Sequence, residues 1–286
     1  MTKPNTNPVS ISQEEQIEIA EKMATCPFVG TAVAIGQLQV LNTVENPLAF
    51  IDEIAQLGNL GGGDLGTLVL KLFARGNHSS WVAPTNGTDT RVPSGTFSLQ
   101  FGGSQGAHAG HSGILLDDPR EVSRGRFDQD EFKRLTAYAD RNGRLSIDSI
   151  GNFIAENLKL DRPNRPKAKV LPLSQLMGDT IRLLNEFKDV VLGGDEQERT
   201  EAISALTKLL GEDHLVASAG EWGLLFAFLK NSPRSDEGDI ALSEVEEMFV
   251  AKRFPAGWET WKKTALSWIN ATLRLTKDAA LAYHFE

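Results

Sequence analysis

The chain has a single cysteine, Cys26, in 286 residues. An intramolecular disulfide is therefore excluded, as is a zinc site built from several thiolates. Its five histidines, His78, His108, His111, His214 and His284, form no His-Glu-x-x-His motif and no pair four residues apart, which removes the helix-borne zinc site. No apolar run reaches the roughly 18–20 residues needed to span a bilayer, so no membrane partner is expected. The opening stretch MTKPNTNPVSISQEEQ has neither the apolar core nor the cleavage site of a signal peptide, and the expected compartment is the cytoplasm. Basic residues are in the minority, 29 against 38 acidic, for a net charge of −9. With no basic stripe interleaved with aromatics, phosphate backbones are disfavoured and nucleic acid is not an expected partner.

What remains is an ordinary globular composition, 41% hydrophobic and 23% charged, long enough to bury a sizeable core. Residues 1–9 read as a polar tail with two prolines, and 10–286 as one mainly α domain of about ten helices. Ser12 with Glu15 three residues later predicts a capped helix over roughly 13–24. Thr25-Cys26-Pro27 stops it, and Pro27 suits the first position of the next helix. Apolar periodicity predicts further helices near 47–57, 64–75, 128–139, 147–158, 173–192, 196–210, 218–230, 242–252 and 257–276. Between Gly76 and about Asp118 the chain is dense in Gly, Ser, Thr and Asn, with one strand expected near 96–101. So long an irregular insertion points to a functional loop or a small subdomain.

Several residues carry chemistry. Cys26 lies at the mouth of the helix that begins with Pro27, where free amides and the positive dipole end favour a thiolate. Gly30, Ala32, Ala34 and Gly36 follow it, small enough for a flat macrocycle to lie against the backbone, and thiolate on haem iron favours O–O cleavage. The competing reading of Cys26 is a small buried hydrophobe. Glu221 opens the run EWGLLFAFL, whose apolar neighbours would raise its pKa into a useful acid/base range. Equally, Ser218-Ala219-Gly220-Glu221 fits a capping box, which would make Glu221 a helix cap. His111 sits in the pliable GAHAGHSG, able either to reach a pocket or to remain solvated. Two further stretches have the layout of calcium loops, with Gly143 and Gly238 in sixth place and Leu145 and Ile240 in eighth. Tyr138 and Pro233 stand where the first carboxylates belong, and Ser149 ends the first loop, so both read as helix–turn–helix geometry without calcium.

Cys-Pro near the N-terminus, a histidine segment, then a glutamate on an apolar helix: this order resembles the chloroperoxidase and fungal peroxygenase family of haem-thiolate enzymes. GEWGLLFAFL followed by SEVEEMFVAKRFPAGW is similar to that family's catalytic-glutamate helix and the aromatic segment after it. HSGILLDD through GRFDQDEFKRLTAYADRNGRL resembles its histidine segment and the following helix. The resemblance covers roughly residues 105–262 and the dipeptide at 26–27. It implies haem b held by Cys26, with Pro27, Gly30 and Ala34 against the macrocycle. Glu221 would be the distal acid/base and His111 the residue orienting it, with hydrogen peroxide and a small organic molecule as substrates. Gly110-His111-Ser112 stands where the family has Glu-His-Asp, and its Asn-His-Gly motif after Cys-Pro is missing. The magnesium site and the acid steadying the histidine are thereby put in doubt. GRFDQDEFKRLTAYA and EWGLLFAFL are also similar to caleosins, peroxygenases with histidine-ligated haem, in which case His111 or His78 would hold the iron. A third expectation, from a different class, is a non-enzymatic helical interaction protein with degenerate EF-hand-like units.

Overall fold

Ser12 opens the first helix as the sequence predicts. Its hydroxyl accepts the Glu15 N–H at 3.2 Å, and the Glu15 carboxylate accepts the Ser12 N–H at 2.7 Å. These belong to a computed structural model that describes residues 10–23, 27–41, 48–58, 96–98, 129–160, 168–236 and 238–285. The 1–9 tail, the 64–75 helix, nearly all of the Gly-rich insertion, Cys26, His78, His108 and His111 lie outside the described residues. Helix α1, Gln13–Glu18, widens into a π-type turn over Ile19–Met23. Helix α2, Pro27–Ala34, does begin at Pro27, and Phe28 through Val33 are buried.

A short strand β1, Leu48–Phe50, precedes α3, Ile51–Gly58, and pairs antiparallel with β2, Thr96–Ser98, in the register Ala49 opposite Phe97. The helix expected from 47 thus starts at Ile51, because Leu48–Phe50 pair with Thr96–Ser98 instead.

The rest is two helix–loop–helix units and the helices that brace them. In the first, α4 (Gln129–Thr136) leads through Gly143 to β3 (Arg144–Leu145) and α5 (Ile147–Lys159). Two bracing helical stretches follow. One runs from α6 (Leu173–Gln175) through a π-type turn, Leu176–Thr180, into α7 (Ile181–Gly193); the other is α8 (Glu196–Glu212). The second unit is α9 (His214–Leu229), a loop, β4 (Ile240–Ala241) and α10 (Leu242–Phe249). Its strand pairs with the first unit's, Leu145 opposite Ile240, and Leu242 N–H donates to Gly143 O at 2.9 Å. Both loop glycines need left-handed backbone, φ +70° at Gly143 and +93° at Gly238, which other residues resist. Helix α11, Ala265–Phe285, packs across both α9 and α5.

Helices α9 and α11 cross closely at Gly223, where a Cβ would lie 2.4 Å from Thr272 Oγ1. Trp268 of α11, 1% exposed, donates its indole N–H to Gly220 O at 2.8 Å. Phe187 meets Trp268 edge-on, and Phe153 meets Trp222, joining α7, α11, α5 and α9 in one core. Two further helix boundaries depart from expectation. Helix α9 starts at His214, because Asp213 caps it by accepting the Val216 N–H at 2.8 Å. The helix expected over 257–276 forms at Ala265 and continues to Phe285, since the Trp258–Thr264 stretch is folded into turns around Lys263.

Candidate active site

Helix α9 is buried along its whole length except at Glu221 and Leu224, which are half-buried and adjacent on one face. Such a helix, apolar all round, belongs in a core, so a carboxylate at its middle demands a reason. Glu221 is the eighth residue of α9, about two turns beyond the Asp213 cap and past the free amides of the first turn. The capping-box reading is thereby overturned: Asp213 fills that place, and the Ser218 hydroxyl instead donates back to His214 O at 2.7 Å. The Glu221 Oε2 atom is shut off from solvent.

Two turns further along the same face stands Phe228, about 10 Å up the helix axis. Its ring lies 4.8 Å from that of Phe28, in the first turn of α2. Phe28 also meets Phe254 at 5.5 Å and Trp258 at 5.9 Å. Thr31 fixes α2 from the other side, its hydroxyl donating to Met248 O of α10 at 2.9 Å. So the helix that follows Cys26 in sequence is docked on both α9 and α10. Pro27, Gly30 and Ala34 fall on one stripe of α2; Gly30 is buried, Pro27 and Ala34 half-buried. Cys26 and His111 lie outside the described residues, and among those described no group of three or more His, Cys, Asp or Glu side chains is arranged to hold a metal ion.

The calcium-loop layout is carried out by the protein's own groups. In the first loop Asp140 Oδ1 accepts the N–H groups of Asn142 and Arg144, both at 2.8 Å, which holds its carboxyl below the usual range. Tyr138, in first place, gives its hydroxyl to Glu156 and packs edge-on against Phe153. In the second loop Glu244, twelfth and 1% exposed, accepts from the Ser232 hydroxyl, and burial pushes its carboxyl up. Arg144 of the first loop pairs with Asp236 of the second.

Three polar groups escaped the sequence reading. Asp213, fully buried, accepts Val216 N–H and, at 2.6 Å, Leu171 N–H, pinning the 168–171 segment to the start of α9. Only its place before His214 hinted at a cap. Glu244 could be read as a loop residue but not as a buried one. Lys263, 1% exposed, donates to the carbonyls of Trp258 and Trp261, and its ammonium lies 4.3 Å from the Trp258 ring centre and 5.0 Å from that of Trp261. Burial lowers its pKa to about 8.

No helix among the described residues is long and apolar enough to cross a membrane. Comparison with models of protein families, with curated proteins and with solved structures finds no match.

Proposed function

We propose that this chain is a haem-thiolate peroxidase or peroxygenase that uses hydrogen peroxide to oxidise a small organic molecule. One arrangement carries the reading. The only two half-buried residues of α9 are Glu221 and Leu224, and they share a flank with Phe228, which touches the helix opening directly after Cys26. The described residues fit such a group. The stripe of Pro27, Gly30 and Ala34 presents no bulky side chain, and α2 brings no charged residue to that flank. Cys26 would supply the iron ligand, and haem iron so ligated favours heterolysis of the peroxide O–O bond. Glu221, held partly out of water on a helix that cannot shift freely, takes the proton from the inner peroxide oxygen and returns it to the outer one. Leu224, one turn on and likewise half-buried, adds apolar surface beside it, which would favour apolar substrates.

A second reading has its own observation. The two loops pair through a short antiparallel ladder, Leu145 opposite Ile240, an arrangement that supports a helical interaction module with EF-hand-like units. One experiment separates these readings. Purified or haem-reconstituted protein, reduced under carbon monoxide, is expected to give the strongly red-shifted Soret band of thiolate ligation, lost in Cys26→Ala. Glu221→Gln should keep that spectrum and the fold while slowing peroxide turnover by about 10²–10⁴-fold. A protein that takes up no haem supports the interaction module. A histidine-type spectrum lost in His111→Ala or His78→Ala supports the caleosin-like ligation.

A further inference from the structure

We propose that the second helix–loop–helix unit is a proton-operated bracket on the candidate site: a protonated Glu244 holds the loop closed through Ser232, and an ionised Glu244 releases it. The unit is placed for this. Its first helix, α9, carries Glu221; its second, α10, holds α2 through Thr31 and Met248 O at 2.9 Å. The angle set by the loop between α9 and α10 therefore sets how α9 faces α2.

Ser232, 4% exposed, is the knot of that loop. Its N–H donates to Leu229 O at 2.9 Å, its carbonyl accepts the Ser235 N–H at 3.0 Å, and its hydroxyl oxygen accepts the Arg234 N–H at 3.2 Å. The same hydroxyl donates to Glu244 Oε1. Glu244 Oε2 is buried without a hydrogen-bond partner. A neutral carboxyl tolerates that position better than a carboxylate, which would be desolvated with one oxygen unpaired. Burial outweighs the groups that favour the charged form, the Ser232 hydroxyl and the Arg234 guanidinium, and Glu247 opposes it. Arg234 and Glu247 pair with each other at 2.8 Å, Arg253 reaches the same Glu247 oxygen at 3.4 Å, and Arg144 from the first loop is engaged by Asp236. Helix α2, packed on α10, contributes no charge. Burial raises the Glu244 pKa above the ordinary 4.5. The closed loop is therefore stable at low pH, and that stability is lost as pH rises through the folded-state pKa.

The consequence for turnover rests on the proposed roles of Cys26 and Glu221, but the test needs neither haem nor peroxide, so the two ideas fail separately. Backbone hydrogen exchange of the full chain is followed between about pH 5 and about pH 8, corrected for intrinsic rates. Protection at Arg234 and Ser235 is expected to fall as pH rises. Glu244→Gln, which keeps an acceptor for Ser232 and carries no charge, should stay protected throughout, and Ser232→Ala should be unprotected at both ends. A Glu244→Gln loop with the parent's pH dependence overturns the proposal. So does millimolar calcium chloride that restores protection at high pH in the parent and not in Glu244→Gln, because the operator would then be a cation.

Discussion

Gly223→Ala tests the crossing that holds α9 against α11. The added methyl carbon would lie 2.4 Å from Thr272 Oγ1, 3.0 Å from Thr272 N and 3.2 Å from Thr272 Cα. The hydroxyl can turn, at the expense of its 2.9 Å bond to Trp268 O. The backbone atoms cannot move without shifting the helix. Overpacking of this kind costs about 1–3 kcal/mol, and with backbone in the way the upper half of that range applies. Alanine returns about 1 kcal/mol of helix propensity, leaving a net loss of roughly 1–2 kcal/mol. For a chain of this size that lowers Tm by roughly 2–8 °C, measurable by circular dichroism. Gly178→Ala is the control: nothing lies within 4 Å of its Cβ position, so it should gain up to about 1 kcal/mol from propensity alone. Adding Thr272→Ala to Gly223→Ala should restore part of the loss, since only the hydroxyl contact is relieved. A Gly223→Ala protein as stable as its parent would show that the crossing gives way freely, and the packing argument would fail.

Calorimetry should detect no calcium site at sub-millimolar concentration, because Tyr138 and Pro233 occupy the first positions and Asp140 is already bonded to its own loop; a tight site lost in Asp140→Ala or Glu244→Gln would refute this. Lys263 sheds its proton near pH 8 when folded and at its ordinary 10.5 when unfolded, so between those values the unfolded chain binds more protons and stability should rise with pH. Lys263→Met should remove that rise and, by leaving the Trp258 and Trp261 carbonyls unsatisfied, cost about 1–3 kcal/mol; parallel stability curves for the two proteins would refute the assignment.

Much of the helical order was legible because it rests on local signals. The Ser12–Glu15 box, Pro27 at a helix start and the glycine-and-apolar spacing of Gly143–Leu145 and Gly238–Ile240 each act within a few residues, and each is found as expected. The start of α9 was misread because Ser218 and Glu221 imitate a capping box in sequence. Asp213 wins by accepting both Val216 N–H and Leu171 N–H, the latter 42 residues away in the chain. Glu244 and Lys263 were illegible for the same reason. Their burial is created by segments that meet only after folding, and composition assigns such side chains to the surface.

The two loops have the layout of calcium loops but place protein groups where a cation would act, and this bears on how the candidate site is held. A cation-filled loop can open and close with cation supply. Here Asp140 is satisfied by its own backbone, Tyr138 is bound into the core through Phe153 and Glu156, and α11 lies across α5 and α9 with Trp268 anchored on Gly220 O. The first loop and α11 thus act as a fixed base. Only the second loop retains a buried carboxyl oxygen without a partner, and it is the second loop that joins the Glu221 helix to the helix gripping α2. For the proposed role of Glu221, a place on a core helix would give the precision that proton transfer requires, since a misplacement of about 1 Å can cost roughly 10²-fold in rate.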